Sequence, residues 1–188
     1  MTPKSLLRLP AATSTIDELT AGGFRPVIDD HLVTDANAVK RIVLCSGKVY
    51  YDVEAGRDQS GGGVVGADVA VVRLEQFYPF PAEALKSVFA RYPNATELFW
   101  TQEEPQNMGG WHFVADRLRE IAGDRLELRY NGRTPSASPA TGSYAIHELE
   151  QKAIVETALG KGSSDPASEE ISAASEPEVS EKIAPASA

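Results

Sequence analysis

Apolar residues fall in short runs that alternate with amphipathic stretches along most of the chain. The runs are rich in β-branched residues and predict strands over residues 41–45, 67–74, 97–101 and 126–130. Apolar positions three to four residues apart predict helices that begin near Ser46, Pro79, Trp111 and Tyr144, the last of them reaching Leu159. Strands that alternate with helices are typical of a mostly parallel sheet covered on both faces. The pattern therefore predicts an α/β fold with three layers, α/β/α.

Two further segments flank this alternating region. In residues 1–40, Thr15 and Glu18 have the spacing of a capping box, which predicts a short helix that ends at Gly22 and Gly23. Residues 160–188 consist mainly of Ala, Ser, Pro and Glu, and they include two basic and six acidic residues. Such a segment cannot bury enough apolar surface to fold. We therefore predict a lead-in segment at 1–40, a folded domain at 41–159 and a disordered acidic tail at 160–188.

Length and composition place the chain among ordinary globular proteins. Its 188 residues, 42% of them hydrophobic, suffice for one domain with a substantial core. A formal net charge of −9 without a basic stripe argues against nucleic acid or an anionic membrane as the main partner. The single cysteine, Cys45, lies in an apolar run and indicates a buried thiol in a reducing compartment. Because the N-terminal residues lack the apolar segment of a signal peptide, we expect a cytoplasmic protein.

The most distinctive polar run is TQEEPQNMGGW at residues 101–111, directly after a predicted strand. Open α/β sheets bind ligands and partners where strands end. The candidates for function are therefore Gln102, Glu103, Glu104, Gln106 and Asn107. An equally weighted interpretation is an ordered loop whose Trp111 packs into the core. Glu103 and Glu104 are adjacent and should point to opposite sides of an extended segment, which argues against a pair that shares a proton. One of them could instead pair with a basic group.

Other motifs give weaker indications. The glycine-rich residues 59–63 follow a helix and precede a strand, so we interpret them as a flexible connection and not as a phosphate loop. Ser46, Gly47 and Lys48 do lie between a strand and a helix, but the remaining Walker residues are absent. The histidines His31, His112 and His147 fall on different elements, without a nucleophile motif or the spacing of zinc ligands. The residues alone thus identify neither a nucleophile nor a zinc site, and they leave the reaction open.

Five blocks of the sequence together resemble one family. They are TPKSLLR at residues 2–8, LCSGKVYYD at 44–52, VVRLEQFYPFP at 71–81, QEEPQNMGGW at 102–111 and GRTPSASPATG at 132–142. In this order they resemble the C-terminal region of the 2-oxoglutarate dehydrogenase E1 component, and the similarity runs from residue 1 to about 159. The resemblance implies a transketolase-type C-terminal domain at 41–159, in agreement with the predicted layers, and a lead-in segment at 1–40 that comes from the preceding domain.

The resemblance also implies a functional context. The complete family enzyme uses thiamine diphosphate and Mg²⁺ to decarboxylate 2-oxoglutarate and passes the succinyl group to the lipoyl arm of E2, the dihydrolipoyl succinyltransferase, in the tricarboxylic acid cycle. The family's cofactor and substrate ligands belong to preceding domains that have no counterpart here. The chain is therefore expected to bind no cofactor and to be inactive alone, as a truncated or split part of E1. Its expected partners are the upstream E1 domains, a second E1 subunit and E2.

Regulation in the family suggests one more candidate. In the actinobacterial branch this region helps to form an acetyl-CoA site, and by alignment only Gln76 of that pattern remains. The arginines that a CoA phosphate requires are replaced here by Ala82, Glu83 and Ala84. We therefore expect no regulation by acetyl-CoA of that type. Residues considered for interaction or regulation are Lys4, Arg8, Lys48, Gln76, Gln102, Glu103, Glu104, Asn107 and Trp111.

Two further expectations follow. Severed from its preceding domain, the chain should expose an apolar patch and self-associate, with Leu6, Leu7, Phe77 and Tyr78 as plausible members. The alternative function is a free-standing α/β module that binds a nucleotide or a small acid at residues 46–48 and 102–107.

Overall fold

A computed structural model describes residues 4–58 and 66–161 of the chain. Most of the predicted acidic tail and the glycine-rich connection at 59–63 lie outside these residues. In the described part, one sheet of five strands is covered by helices on both faces, which confirms the predicted three-layer α/β/α fold.

The elements follow one another in the predicted alternation. Two 3-10 helices, Lys4–Arg8 and Pro10–Ala12, precede the first α-helix. The strands are β1 (Val27–Ile28), β2 (Arg41–Cys45), β3 (Val69–Leu74), β4 (Glu97–Pro105) and β5 (Glu127–Arg133). The helices are α1 (Ile16–Thr20), α2 (Val49–Asp58), α3 (Ala82–Arg91), α4 (Trp111–Ala122) and α5 (Tyr144–Ala158). The capping box of Thr15 and Glu18 is present at the start of α1, as predicted.

The strand order is β1-β3-β2-β4-β5. Strands β2 to β5 are parallel to one another, and β1, at the edge of the described sheet, is antiparallel to β3. The chain passes from β2 to β3 on one side and returns to place β4 on the other side of β2. The carboxyl ends of β2 and β4 therefore lie next to each other at the point where the strand order reverses, the usual binding position of open α/β sheets.

Each face of the sheet has its own core. Alternate residues of the strands, such as Leu44, Val72 and Trp100, pack with α3 and α4. Their neighbours, such as Val43, Val71 and Phe99, pack with α2 and α5. The central strands are buried on both sides, which explains why their sequences are almost continuously apolar.

The strand bounds differ from the prediction at four of the five strands. β3 begins at Val69 and not at 67, and β5 spans Glu127–Arg133 and not 126–130. β4 continues to Pro105 and does not end at Thr101, because it keeps pairing with β5 up to Pro105 and Arg133 across an irregular register. β1 has only two residues, too few for a periodic pattern, and was missing from the prediction.

The segment before β2 is fastened to the sheet. β1 pairs with the end of β3, and Asp30 forms a buried ion pair with Arg57 of α2 at 2.8 Å. The same Asp30 carboxylate accepts a hydrogen bond from the backbone N–H of Val71 at 2.7 Å. Asp29 accepts one from the hydroxyl of Tyr92 at 2.6 Å. Residues 27–30 therefore pack as part of the domain.

Candidate functional site

The polar run singled out by its sequence lies at the carboxyl edge of the sheet, partly within β4 and partly in the turn before α4. Gln102 is buried at its centre and has all its hydrogen bonds satisfied by the protein. Its side-chain oxygen accepts from the indole N–H of Trp100 at 2.8 Å and from the backbone N–H of Trp111 at 3.0 Å. Its nitrogen donates to three carbonyls of the turn, those of Glu104, Pro105 and Met108. Gln102 thus fixes the turn and has no hydrogen-bonding capacity left for a ligand.

Two glycines allow the turn to approach Gln102. Gly109 has a positive φ of 66°, and a Cβ there would lie 2.9 Å from the side-chain nitrogen of Gln102. A Cβ on Gly110 would lie 2.8 Å from ring atoms of both Phe77 and Trp100. The glycine pair therefore serves close packing and is not arranged around an open phosphate site.

The remaining residues of the run also have structural partners or face solvent. Asn107 exchanges two hydrogen bonds with the backbone of Ser136, at 2.9 and 3.0 Å, and so holds the loop after β5. Trp111 is buried at the start of α4 and packs on Tyr130 with ring centroids 5.3 Å apart. Burial raises the pKa of Tyr130 to about 12, and its hydroxyl donates to the Glu104 carbonyl. The Glu104 side chain is exposed.

Glu103 points to the opposite side from Gln102, toward α2 and α5, as its alternation along β4 requires. It accepts from the amine of Lys48 at 3.1 Å and from the amide of Gln151 at 3.0 Å. Lys48 also pairs with Asp52, which accepts from the same amide at 2.8 Å. Burial alone would lower the pKa of Lys48, but its hydrogen bonds and charge pairing with Asp52 and Glu103 hold that pKa above the usual value.

Arg133, at the end of β5, extends this network to the first half of α5. Its guanidinium donates to the Glu150 carboxylate at 2.7 Å and to Gln151 at 3.2 Å. It also lies 3.0 Å from the ring of His147 and donates to the backbone carbonyl of Glu103. From the sequence, Arg133 was only one of several basic residues considered for anion recognition, and it was not selected as a site residue, although it stands in one of the blocks that carry the family resemblance.

The other candidates lie apart from this cluster. Lys4 and Arg8 are exposed on the first 3-10 helix. Gln76 follows β3 and donates to the carbonyl of Pro79 at 2.7 Å, across the turn that leads to α3. The structure therefore brings Lys48 and Glu103 together and places Gln102, Asn107 and Trp111 around the neighbouring turn, without Lys4, Arg8 or Gln76.

A groove of about 600 Å³ runs between α2 and α5 beside the network. Its lining carries Lys48, Lys152 and Lys161 along with Asp52, Glu148 and Glu156, so positive and negative charges balance. A nucleotide would require an excess of donors or positive charge that this groove does not offer.

The described residues do not fit thiamine diphosphate or its metal. They hold no group of three or more His, Cys, Asp or Glu side chains placed to bind a metal ion. At the junction of β2 and α2, the Lys48 amine is already paired with the carboxylates of Asp52 and Glu103. Over residues 4–58 and 66–161, no helix combines the length and apolar character needed to cross a membrane.

Comparison with known proteins places this geometry in a family. Residues 13–159 match the model described as 2-oxoglutarate dehydrogenase C-terminal. The chain belongs to this family. It is 49% identical over 161 residues to the 2-oxoglutarate dehydrogenase E1 component of Cupriavidus necator, a match that covers 86% of the chain. The E1 component of a Geobacillus species is 47% identical over 163 residues, again 86% of the chain.

The match is confined to a small part of these relatives. The chain spans 16% of the length of the Cupriavidus necator protein and 17% of the Geobacillus protein. The family membership suggested by the five sequence blocks is confirmed, and the matched region is the C-terminal one.

Proposed function

We propose that this chain acts as the C-terminal structural and interaction domain of a 2-oxoglutarate dehydrogenase E1 component and carries none of the reaction chemistry itself. The observation that carries the proposal is the match of residues 13–159 to the C-terminal family, together with a span of only 16–17% of the relatives. The internal pairing of Lys48, Glu103 and Gln102 supports it, because these groups are occupied in holding the fold.

In this proposal, oxidative decarboxylation of 2-oxoglutarate depends on the upstream E1 region, which supplies thiamine diphosphate and Mg²⁺. A cofactor carries out its chemistry only when protein groups orient it. The partners are then the upstream E1 domains, a second E1 subunit and the E2 dihydrolipoyl succinyltransferase, in the cytoplasm. Glu83, in place of a basic residue, disfavours acetyl-CoA as an effector.

The first test is calorimetric titration of the purified chain with thiamine diphosphate and Mg²⁺, followed by a 2-oxoglutarate turnover assay. We expect neither binding heat nor turnover. Saturable binding or turnover by the chain alone would contradict the proposal.

The second test mixes the chain with the Cupriavidus necator E1 polypeptide that lacks the 161 matched residues. Recovery of 2-oxoglutarate-dependent activity only in the mixture is the expected result. A matched control uses the chain with Gly110→Ala, which should disturb the packing of the turn between β4 and α4. No recovery with a correctly folded chain would count against a role as this domain.

A further inference from the structure

The exposed apolar side chains of the domain are not evenly distributed. Among the described residues, nine large hydrophobic side chains are exposed: Leu7, Ile16, Leu19, Phe24, Leu32, Tyr78, Tyr144, Ile146 and Leu149. Single exposed hydrophobic residues are normal on a protein surface, but a concentration of them marks an interaction surface. The position of each in the topology therefore matters.

Eight of the nine belong to segments that enter or leave the sheet at its carboxyl edge. Tyr78 lies in the connection after β3, and Tyr144, Ile146 and Leu149 lie in the first half of α5, after β5. Ile146 and Leu149 are three residues apart and so share one side of the helix. Leu32 is the exception, because it follows β1 toward the amino edge.

The N-terminal arm, residues 4–25, also leaves the domain at the carboxyl edge. Val27 pairs with Leu74, the last residue of β3, and the carbonyl of Pro26 accepts from the backbone N–H groups of Glu75 and Gln76 at 2.9 and 3.1 Å. Helix α1 in this arm buries none of its residues, and Ile16 is 78% exposed. Its five residues are too few for a helix to be stable on its own in water.

We propose that the carboxyl-edge surface, formed by the N-terminal arm, Tyr78 and the first half of α5, is the docking surface for the part of an E1 polypeptide that precedes this region. The inference rests on the proposed function and adds the location of the contact. The matched region is C-terminal and makes up only 16–17% of the relatives, so the rest of an E1 chain connects through this arm. Chain continuity thus brings the preceding part to the edge where the apolar side chains are exposed.

Hydrogen exchange can test this surface in two intact polypeptides. One is the 188-residue chain, and the other is the full-length Cupriavidus necator E1 with its 161 matched residues replaced by those of this chain. We expect amides of residues 5–25 and 144–149 to exchange at least tenfold more slowly in the chimera than in the isolated chain. Residues 30–36, around Leu32, should exchange at similar rates in both. Equal rates at the carboxyl edge, or equal protection around Leu32, would overturn the assignment.

Charged substitutions add an independent test. Ile146→Asp with Leu149→Asp should leave the isolated chain folded, because both side chains are exposed, but should abolish the protection of residues 144–149 in the chimera. Leu32→Asp is the matched control, since Leu32 and Ile146 are 48% and 49% exposed. Unchanged protection in the double variant would contradict the proposal.

Because the isolated chain is expected to self-associate through its exposed apolar residues, its exchange is measured at concentrations where light scattering shows a monomer. Two outcomes would distinguish a failure of the docking-surface proposal from a failure of the proposed function. A chimera that turns over 2-oxoglutarate without protection at the carboxyl edge would refute the docking surface alone. A protected chimera that is inactive, beside an active Cupriavidus necator E1, would refute the proposed function alone.

Discussion

The side-chain oxygen of Gln102 accepts a hydrogen bond from the indole N–H of Trp100, two residues earlier on the same strand, at 2.8 Å. The two side chains lie on the same face of β4 because the side chains of a strand alternate. The same oxygen receives the backbone N–H of Trp111. One amide thereby connects a central strand, the turn after it and the first residue of α4.

Replacing Gln102 should therefore be costly. Gln102→Leu leaves two buried N–H donors without an acceptor, each at a cost of about 1–3 kcal/mol, so we expect a loss of about 3 kcal/mol in the free energy of unfolding. Urea unfolding followed by the fluorescence of the two tryptophans measures it. Gln106→Leu, in the same turn, should change stability by less than about 0.5 kcal/mol. Equal effects of the two substitutions would show that the hydrogen bonds of Gln102 are not the cause.

Three glycines, Gly47, Gly109 and Gly110, allow backbone strain and steric clash to be measured separately. Gly47→Ala introduces a Cβ at a φ of 76° with no atom within 4 Å, so it should cost only about 1–2 kcal/mol of backbone strain. Gly110→Ala adds a clash with Phe77 and Trp100 without a positive φ, at about 1–3 kcal/mol. Gly109→Ala combines both effects. Gly109→Ala should therefore have the lowest thermal stability of the three variants. A lower melting temperature for Gly47→Ala or Gly110→Ala would contradict this prediction.

The ion pair of Asp30 and Arg57 is the most buried one in the described residues, with side chains 3% and 6% exposed. Asp30→Ala removes the partner of a buried guanidinium and also the acceptor for the Val71 N–H, so we expect a loss of about 3–5 kcal/mol. Glu83→Ala, which removes the exposed pair with Lys86, should cost less than about 1 kcal/mol. Similar losses in both variants would mean that burial of the pair is energetically unimportant.

Cys45 should make stability fall in alkaline solution. Burial raises the pKa of its thiol to about 12, from an ordinary value of 9.0. Between these pH values the unfolded chain releases a proton that the folded chain keeps, so stability decreases as pH rises above about 9. At pH 10 the loss from this group should reach about 1.4 kcal/mol.

The measurement is urea unfolding at pH 8 and pH 10 under reducing conditions, with Cys45→Val as the control. The valine variant should lose about 1.4 kcal/mol less than the parent chain between the two pH values. If both lose the same amount, ionisation of Cys45 does not contribute.

Much of the fold could be predicted from local sequence patterns. The contacts of the site residues could not, because they join residues that are distant in the sequence. β2 was predicted with its observed bounds because Ile42, Val43 and Leu44 form a run buried on both faces. The extension of β4 through Glu103 was not predictable in this way, since its polar residues resemble a loop. Its strand conformation comes from backbone pairing with β5, and the partner of the Glu103 side chain, Lys48, lies 55 residues earlier.

The network around Arg133 could not be predicted from the sequence for the same reason. Glu150 and Gln151 meet Arg133 only because α5 returns across the sheet after a loop, and periodicity does not specify such partners. Glu103 and Glu104 did diverge as their adjacency predicted, one toward Lys48 and one toward solvent.

The neighbouring acids Asp29 and Asp30 have a consequence for cooperativity. Asp29 binds Tyr92, which belongs to the core under α3 and α4, whereas Asp30 binds Arg57 of α2 on the opposite face. A single peptide unit thus links the two helical layers around the edge of the sheet. Neither layer can separate without disturbing the anchor of the other, so the two cores should melt in one calorimetric transition with equal calorimetric and van't Hoff enthalpies.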